Sequence, residues 1–133
     1  MCTRQTKYMP LALFSFFCYN YKGLLLVKKG EIKLSKIKMF SLGGLDENGK
    51  NMFVIEIDKN IFVFEARLQY ADEMTLGIDY IIPNISYLKE NKKRKKGIFL
   101  THAHDENIGA LSDIVPELGD VSVYGSKYTI DVV

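Results

Sequence analysis

The amino-acid sequence predicts a mixed α/β fold, of the α+β kind, for residues 36–133. Two runs rich in Phe, Val and Ile, residues 52–57 and 61–64, flank the turn-forming Asp58-Lys59-Asn60 and predict an antiparallel hairpin. The wholly apolar run 98–100 is typical of a buried strand, and apolar residues then recur at helical spacing over 105–118. Strands followed by a helix in this way predict a small sheet flanked by helices.

The remaining elements follow from short apolar runs and from the residues that end them. Gly43-Gly44 ends a strand at 37–40, and Pro83 ends a strand at 80–82. The other expected elements are one or two helical turns over 86–92, a strand opened by Gly97, a last strand at 121–124, and a helix capped by Ser126.

Length and composition allow one domain and exclude several classes of protein. The chain has 133 residues, of which 47% are hydrophobic, enough for a small core. A net charge of +2 gives no global field that would mark a nucleic-acid or membrane protein. The two cysteines, Cys2 and Cys18, lie far from both histidines, which argues against a disulfide scaffold or a zinc ribbon. We therefore expect a cytoplasmic protein.

Residues 1–35 differ in composition and patterning from the rest of the chain and are expected to form a divergent, poorly ordered leader. A basic start at Arg4 and Lys7 and an apolar run over 11–17 give the outline of a signal peptide. The run is too short to span a bilayer, and no Ala-x-Ala cleavage site follows it. We expect no membrane partner.

Two histidines at the end of the predicted buried strand are the candidates for chemistry. His102 and His104 are two residues apart, so both imidazoles can turn toward one point, as a bound cation requires. In the alternative interpretation, Asp105 or Glu106 places a favourable charge at a helix N-terminus, and the histidines are exposed loop residues. Spacing alone leaves both interpretations open.

One basic cluster, residues 89–96, invites an RNA-binding interpretation because neutralising phosphates drives non-specific affinity for nucleic acids. We favour the alternative, a solvated helix end and turn before the next strand. The sequence therefore identifies no RNA-binding residue.

Longer runs of the sequence resemble a known family. His102-Ala103-His104-Asp105-Glu106-Asn107 resembles the His-x-His-x-Asp-His signature of the metallo-β-lactamase superfamily. Further runs are similar to ribonuclease J, of the β-CASP group, over about three quarters of the chain in one unbroken order; they lie at 42–52, 76–79, 82–88 and 123–129.

The resemblance implies an αββα sandwich, of which residues 36–133 would hold only the first half, as an amino-terminal fragment. It also implies two zinc ions that hydrolyse RNA phosphodiesters during RNA processing and decay. By position, His102 and His104 would be ligands of the first metal. Glu106 and Asn107 stand where the family has the Asp and His ligands of the second.

Departures from the family pattern predict a degenerate site. The amide of Asn107 is a poor zinc donor, and Glu106 is one methylene longer than aspartate. Glu65-Ala66-Arg67 replaces an Asp-Ala-Gly whose Asp supports the site. If the Gly serves to adopt positive φ, Arg67 should strain the turn. We expect at most one weakly bound zinc ion and no complete set of catalytic residues.

These features predict a ribonuclease J-like protein of RNA processing and decay in a truncated, weakly active or inactive form. The alternatives are a non-catalytic remnant, a partner subunit of an active ribonuclease J, or another hydrolase of the metallo-β-lactamase fold. Expected partners are RNA and a ribonuclease J paralogue or a second copy of the chain. Whether the chain is itself an enzyme stays open.

Overall fold

The computed structural model describes residues 6–8, 27–28, 31–32 and 35–133. The predicted leader, residues 1–35, lies almost wholly outside the described residues, so its poor order stays a prediction. Its described residues form three short strands, β1 (Thr6–Tyr8), β2 (Val27–Lys28) and β3 (Glu31–Ile32), of which β2 and β3 pair with each other in an antiparallel ribbon.

Seven strands follow, and five of them join β1 in one six-stranded mixed sheet. In chain order they are β4 (Ile37–Gly43), β5 (Met52–Ile57), β6 (Asn60–Phe64), β7 (Gln69–Tyr70), β8 (Tyr80–Ile81), β9 (Lys95–Phe99) and β10 (Val123–Gly125). The sheet order is β1-β10-β9-β6-β5-β4, with β7 and β8 forming a separate antiparallel ribbon. The first three pairings are parallel and the last two antiparallel, so the predicted hairpin is β5–β6.

Within residues 35–133, four short helices and one 3-10 turn connect the strands. The helices are α1 (Ser86–Glu90), α2 (Asp105–Ile108), α3 (Leu111–Leu118) and α4 (Lys127–Val132), and the 3-10 turn is Lys92–Arg94. The predicted cap of α4 is confirmed, because the Ser126 hydroxyl accepts a hydrogen bond from the Thr129 amide at 3.2 Å. Mixed α/β architecture is therefore correct for residues 35–133.

One face of the sheet and the helices enclose a single core. Alternate strand residues Val54, Val63 and Ile98 are fully buried, and so are Leu88 of α1 and Ile114 of α3. Because strand side chains alternate between the two faces, this pattern places the helices over one face.

The opposite face is also apolar, although its side chains are half-buried or exposed. Phe99 stacks on Tyr124 with ring centroids 4.7 Å apart and on Phe64 at 5.4 Å, so an aromatic row crosses β6, β9 and β10. Ile37 and Met39 of β4 extend this face and are 50% and 60% exposed. A sheet with one solvated face normally carries polar residues there, whereas this sheet is apolar on both faces.

The prediction of a single helix over 105–118 is wrong, because the chain forms two helices, which are separated by Gly109-Ala110. A continuous helix needs the carbonyls of Glu106 and Asn107 for its own hydrogen bonds. Amides of the preceding loop take them instead: Leu68 N–H donates to Glu106 O at 2.9 Å and Ala66 N–H to Asn107 O at 3.1 Å.

The expectation that Gly97 opens a strand is also wrong, since β9 begins at Lys95, which pairs with Ile61. Gly97 lies inside the strand, where a Cβ would fall 2.3 Å from the Tyr124 ring. The glycine therefore makes room for an aromatic ring. In the described part of the chain, no helix has the length and apolar character needed to cross a membrane.

Candidate metal centre

The two histidines emerge where the inner strand β9 ends. Leu100 is fully buried, and its amide donates to Tyr124 O at 2.8 Å, which holds the chain against β10 until the core ends. Thr101, His102 and His104 are exposed. His104 O then accepts from Asn107 N at 2.8 Å and starts α2, so a loop of five residues, 100–104, lies between strand and helix.

The imidazoles meet as the sequence predicts. Nε2 of His102 lies 3.0 Å from Nδ1 of His104, with ring centroids 4.5 Å apart. Tetrahedral zinc with Zn–N distances of about 2.0–2.1 Å holds two nitrogens about 3.3 Å apart, so this pair could chelate one ion after a small movement. The convergence is confirmed, whereas metal binding by His102 and His104 stays a prediction.

Two neighbouring polar side chains complete the histidine cluster. Oγ1 of Thr101 lies 2.8 Å from Nδ1 of His102, and Nδ2 of Asn107 lies 2.7 Å from Nε2 of the same ring. Asn107 thus reaches the position of a third donor, although it brings an amide in place of an imidazole. The sequence prediction missed Thr101, whose only signal is its place immediately before His102.

Glu106 turns toward an arginine. Its Oε1 lies 3.0 Å from Nη2 of Arg67, and the Glu106 side chain is 47% exposed. The ion pair competes with the role of metal ligand that the family resemblance implies for Glu106, and that role stays a prediction.

Glu65 carries the backbone strain that was expected at Arg67. The left-handed residue of the loop is Glu65, at φ 62°, and Arg67 does not have the positive φ on which its expected strain depended. A non-glycine residue in this conformation costs about 1–3 kcal/mol. The Glu65 Oε1 accepts a hydrogen bond from the Thr101 amide at 3.1 Å, which ties the strained residue to the start of the histidine loop.

Two polar atoms of this loop are buried without a hydrogen-bond partner in the described part of the chain: Oε2 of Glu65 and Nε of Arg67. Such atoms are uncommon in folded proteins, where more than about 90% of buried polar groups have a partner. The hydrogen bonding of this loop is therefore incomplete.

The residues at this position supply fewer donors than a complete zinc site needs. Among the residues that the structure describes, no three His, Cys, Asp or Glu side chains converge as a metal cage. His102 and His104 supply two donors, while Glu106 is paired with Arg67. A structural zinc site needs four ligands and a catalytic one needs three from the protein.

Three of the six cations in the basic cluster 89–96 have a partner elsewhere in the described chain. Arg94 pairs with Glu56 at 2.9 Å, the Lys95 ammonium donates to Leu118 O at 2.7 Å, and Lys89 pairs with Glu117. Burial lowers the pKa of Lys95. The other cations of the cluster are exposed; they are Lys92, Lys93 and Lys96.

Curated proteins of known name are similar to this chain. The chain is 46% identical over 108 residues to "Ribonuclease J 2" of Staphylococcus aureus (strain MRSA252), and 45% identical over 108 residues to the protein of the same name in Staphylococcus epidermidis. Each match covers 81% of this chain and 19% of the relative, so the chain spans about a fifth of the length of these proteins. No family model matches the chain. Over four fifths of its length, this chain is a relative of ribonuclease J.

Proposed function

We propose that this chain serves RNA processing and decay as a ribonuclease J-type protein whose metal centre is too degenerate for efficient catalysis. The observation that carries the proposal is the meeting of His102 and His104, with nitrogens 3.0 Å apart, at the end of a buried strand in a chain 46% identical to a protein named ribonuclease J 2. RNA is the proposed ligand and a phosphodiester the proposed bond.

The two apolar faces of the sheet support an αββα sandwich. Helices cover one face, while the other carries the aromatic row of Phe64, Phe99 and Tyr124. Apolar faces of this kind pack against a second sheet about 10 Å away. We propose that residues 36–133 supply one sheet layer with its helices.

Weak catalysis follows from the donors that are present. Two metal ions in a phosphodiesterase stabilise the attacking and the leaving oxygen together. His102 and His104 could hold one zinc ion, which would polarise a phosphate oxygen when bound. Neither the amide of Asn107 nor Glu106, paired with Arg67, supplies what a second ion needs.

A non-catalytic partner role is the second candidate. The observation that favours it is the apolar outer face, on which Ile37 and Met39 are at least half exposed. Contiguous exposed apolar surface is a feature of interaction sites. The partner would be an active ribonuclease J paralogue or a second copy of this chain.

The test combines zinc analysis with RNA cleavage. Purified protein is assayed for zinc by plasma emission and for cleavage of a 5′-labelled RNA, with His102→Ala/His104→Ala as the matched control. We expect at most one zinc per chain, no zinc in the control, RNA binding by fluorescence anisotropy, and no cleavage above background. Two tightly held zinc ions with chelator-sensitive cleavage would contradict the proposal of a degenerate centre. Failure to bind RNA would contradict the RNA function.

A further inference from the structure

Backbone hydrogen bonds fix Arg67 beside the first turn of α2. The amides on either side of Arg67 donate to that turn, Leu68 N–H to Glu106 O at 2.9 Å and Ala66 N–H to Asn107 O at 3.1 Å. Because the residues on both sides are bonded to α2, the chain between them cannot move away from it. The Arg67 side chain is 25% exposed and reaches Glu106 Oε1 with Nη2 at 3.0 Å.

This arrangement sets a fixed positive charge next to a candidate ligand. A guanidinium is always charged in proteins. Because it is part of the chain, its charge stays in place, whereas a bound ion can dissociate. A divalent cation brought to Glu106 would have to displace it or accept repulsion from it. The carboxylate cannot serve both partners fully.

A hydrogen-bonded chain connects the same loop to the histidine pair. The Glu65 carboxylate accepts from the Thr101 amide, and the Thr101 hydroxyl lies 2.8 Å from Nδ1 of His102. The second Glu65 oxygen is buried without a partner within the described residues. The Glu65 carboxylate is thus connected to the histidine pair through Thr101, while Arg67 pairs with the Glu106 carboxylate.

We propose that Arg67 is a built-in cation that takes the place of a second metal ion and sets the metal affinity of the site. The inference rests on the proposed function only in taking His102 and His104 as the zinc-binding pair. Arg67 does not touch a substrate. It acts through Glu106, by withholding that carboxylate and by adding a repulsive charge.

The test is isothermal titration calorimetry with zinc chloride on the wild type and on Arg67→Gln, which removes the charge and keeps a shorter polar side chain. We expect zinc to bind at least tenfold more tightly to Arg67→Gln. Arg67→Lys keeps the charge and should stay within threefold of the wild type. The control Lys93→Ala removes an exposed charge elsewhere and should stay within twofold.

A second charge-removing variant, Arg67→Ala, should show the same gain in zinc affinity. Circular dichroism reports whether each variant is folded. Equal zinc affinity in the wild type and in a folded charge-removing variant would overturn the inference. A gain that survives His102→Ala/His104→Ala in the Arg67→Gln background would overturn it as well. RNA binding distinguishes the two proposals. If the protein does not bind RNA but zinc affinity rises in Arg67→Gln, the proposed function fails and the role of Arg67 stands.

Discussion

Two arginine–carboxylate pairs of nearly equal length have opposite surroundings. Arg94 lies 2.9 Å from Glu56, whose side chain is 5% exposed, and Arg67 lies 3.0 Å from Glu106, which is 47% exposed. The first pair belongs to the closed core face of the sheet, whereas the second lies at the open end beside the histidine loop. Distance alone therefore does not distinguish a structural pair from a candidate functional one.

Hydrogen bonding distinguishes them. Arg94 also donates from Nε to Lys59 O at 3.1 Å and from Nη1 to Asn91 Oδ1 at 2.8 Å, and Tyr87 donates its hydroxyl to the carboxylate of Glu56. Every nitrogen of that guanidinium has a partner, and the charge that is buried, the carboxylate of Glu56, is paired and hydrogen-bonded.

Around Arg67 the opposite holds, because its Nε and one oxygen of Glu65 are buried without a partner in the described residues, and Glu65 is strained. Polar networks in which every group is hydrogen-bonded stabilise a fold. Strained residues are typical of active sites and ligand-binding sites.

The largest expected effect is on the satisfied pair. Arg94→Ala should lower the free energy of unfolding by about 2–4 kcal/mol, because Glu56 would keep a buried charge with only the more distant Lys38, at 3.9 Å, as its cation. Urea denaturation followed by circular dichroism at pH 7 measures this. Lys93→Ala, in the same 3-10 turn but exposed, should change stability by less than about 0.5 kcal/mol. A loss below about 1 kcal/mol for Arg94→Ala would show that the network is not structural.

Acid should weaken the same network. The hydrogen bond from Tyr87 holds the pKa of Glu56 below its ordinary value, and the charges of Arg94 and Lys38 act in the same direction. A carboxyl with a lowered folded-state pKa stabilises the protein above its unfolded pKa of about 4.3 and loses that contribution as the pH falls through the folded value.

Glu56→Gln isolates this contribution from those of other acids. The wild type should exceed Glu56→Gln in stability at pH 7, and the difference should shrink steadily below about pH 4.3. Urea titrations of both proteins from pH 7 to pH 3 give the comparison. A difference that stays constant over this range would mean that Glu56 is not the titrating group.

Elements defined by local pattern could be predicted from the sequence. The alternation of buried and half-buried residues in the β5–β6 hairpin, the cap at Ser126 and the meeting of His102 with His104 all follow from spacing within a few residues. These features need no knowledge of distant parts of the chain.

Features set by distant contacts could not be predicted. The helix over 105–118 is divided because Ala66 and Leu68 capture its carbonyls, and these residues are about forty positions away. The same long-range contact brings Arg67 to Glu106, a pairing that no local pattern indicates. Strain was expected at the arginine because the family has glycine there, yet the structure places the left-handed conformation two residues earlier.

A smaller effect separates two adjacent lysines. Lys95 donates to Leu118 O at 2.7 Å at the carboxyl end of α3, whereas Lys96 is exposed. Lys95→Ala should cost about 1 kcal/mol, because a charged donor near the helix C-terminus is lost. Lys96→Ala should stay within about 0.5 kcal/mol of the wild type. Equal effects of the two substitutions on the urea midpoint would argue that the contact with Leu118 contributes nothing.

The smallest expected effect is on the unsatisfied pair, where Arg67→Ala should change the free energy of unfolding by less than about 0.5 kcal/mol in either direction. Exposed ion pairs contribute about 0–1 kcal/mol. Arg67 is 25% exposed, and its partner Glu106, at 47%, is exposed enough for water to replace the guanidinium. Removing Arg67 also removes its unpartnered Nε, which offsets part of the lost attraction.

Urea denaturation in the presence of a chelator, which removes any contribution from bound metal, measures this beside Arg94→Ala under the same conditions. If Arg67→Ala costs as much as Arg94→Ala, the Arg67–Glu106 pair is a structural element like its buried counterpart. A near-neutral result means that Arg67 can be replaced without unfolding the chain, which is what a residue that tunes metal binding requires.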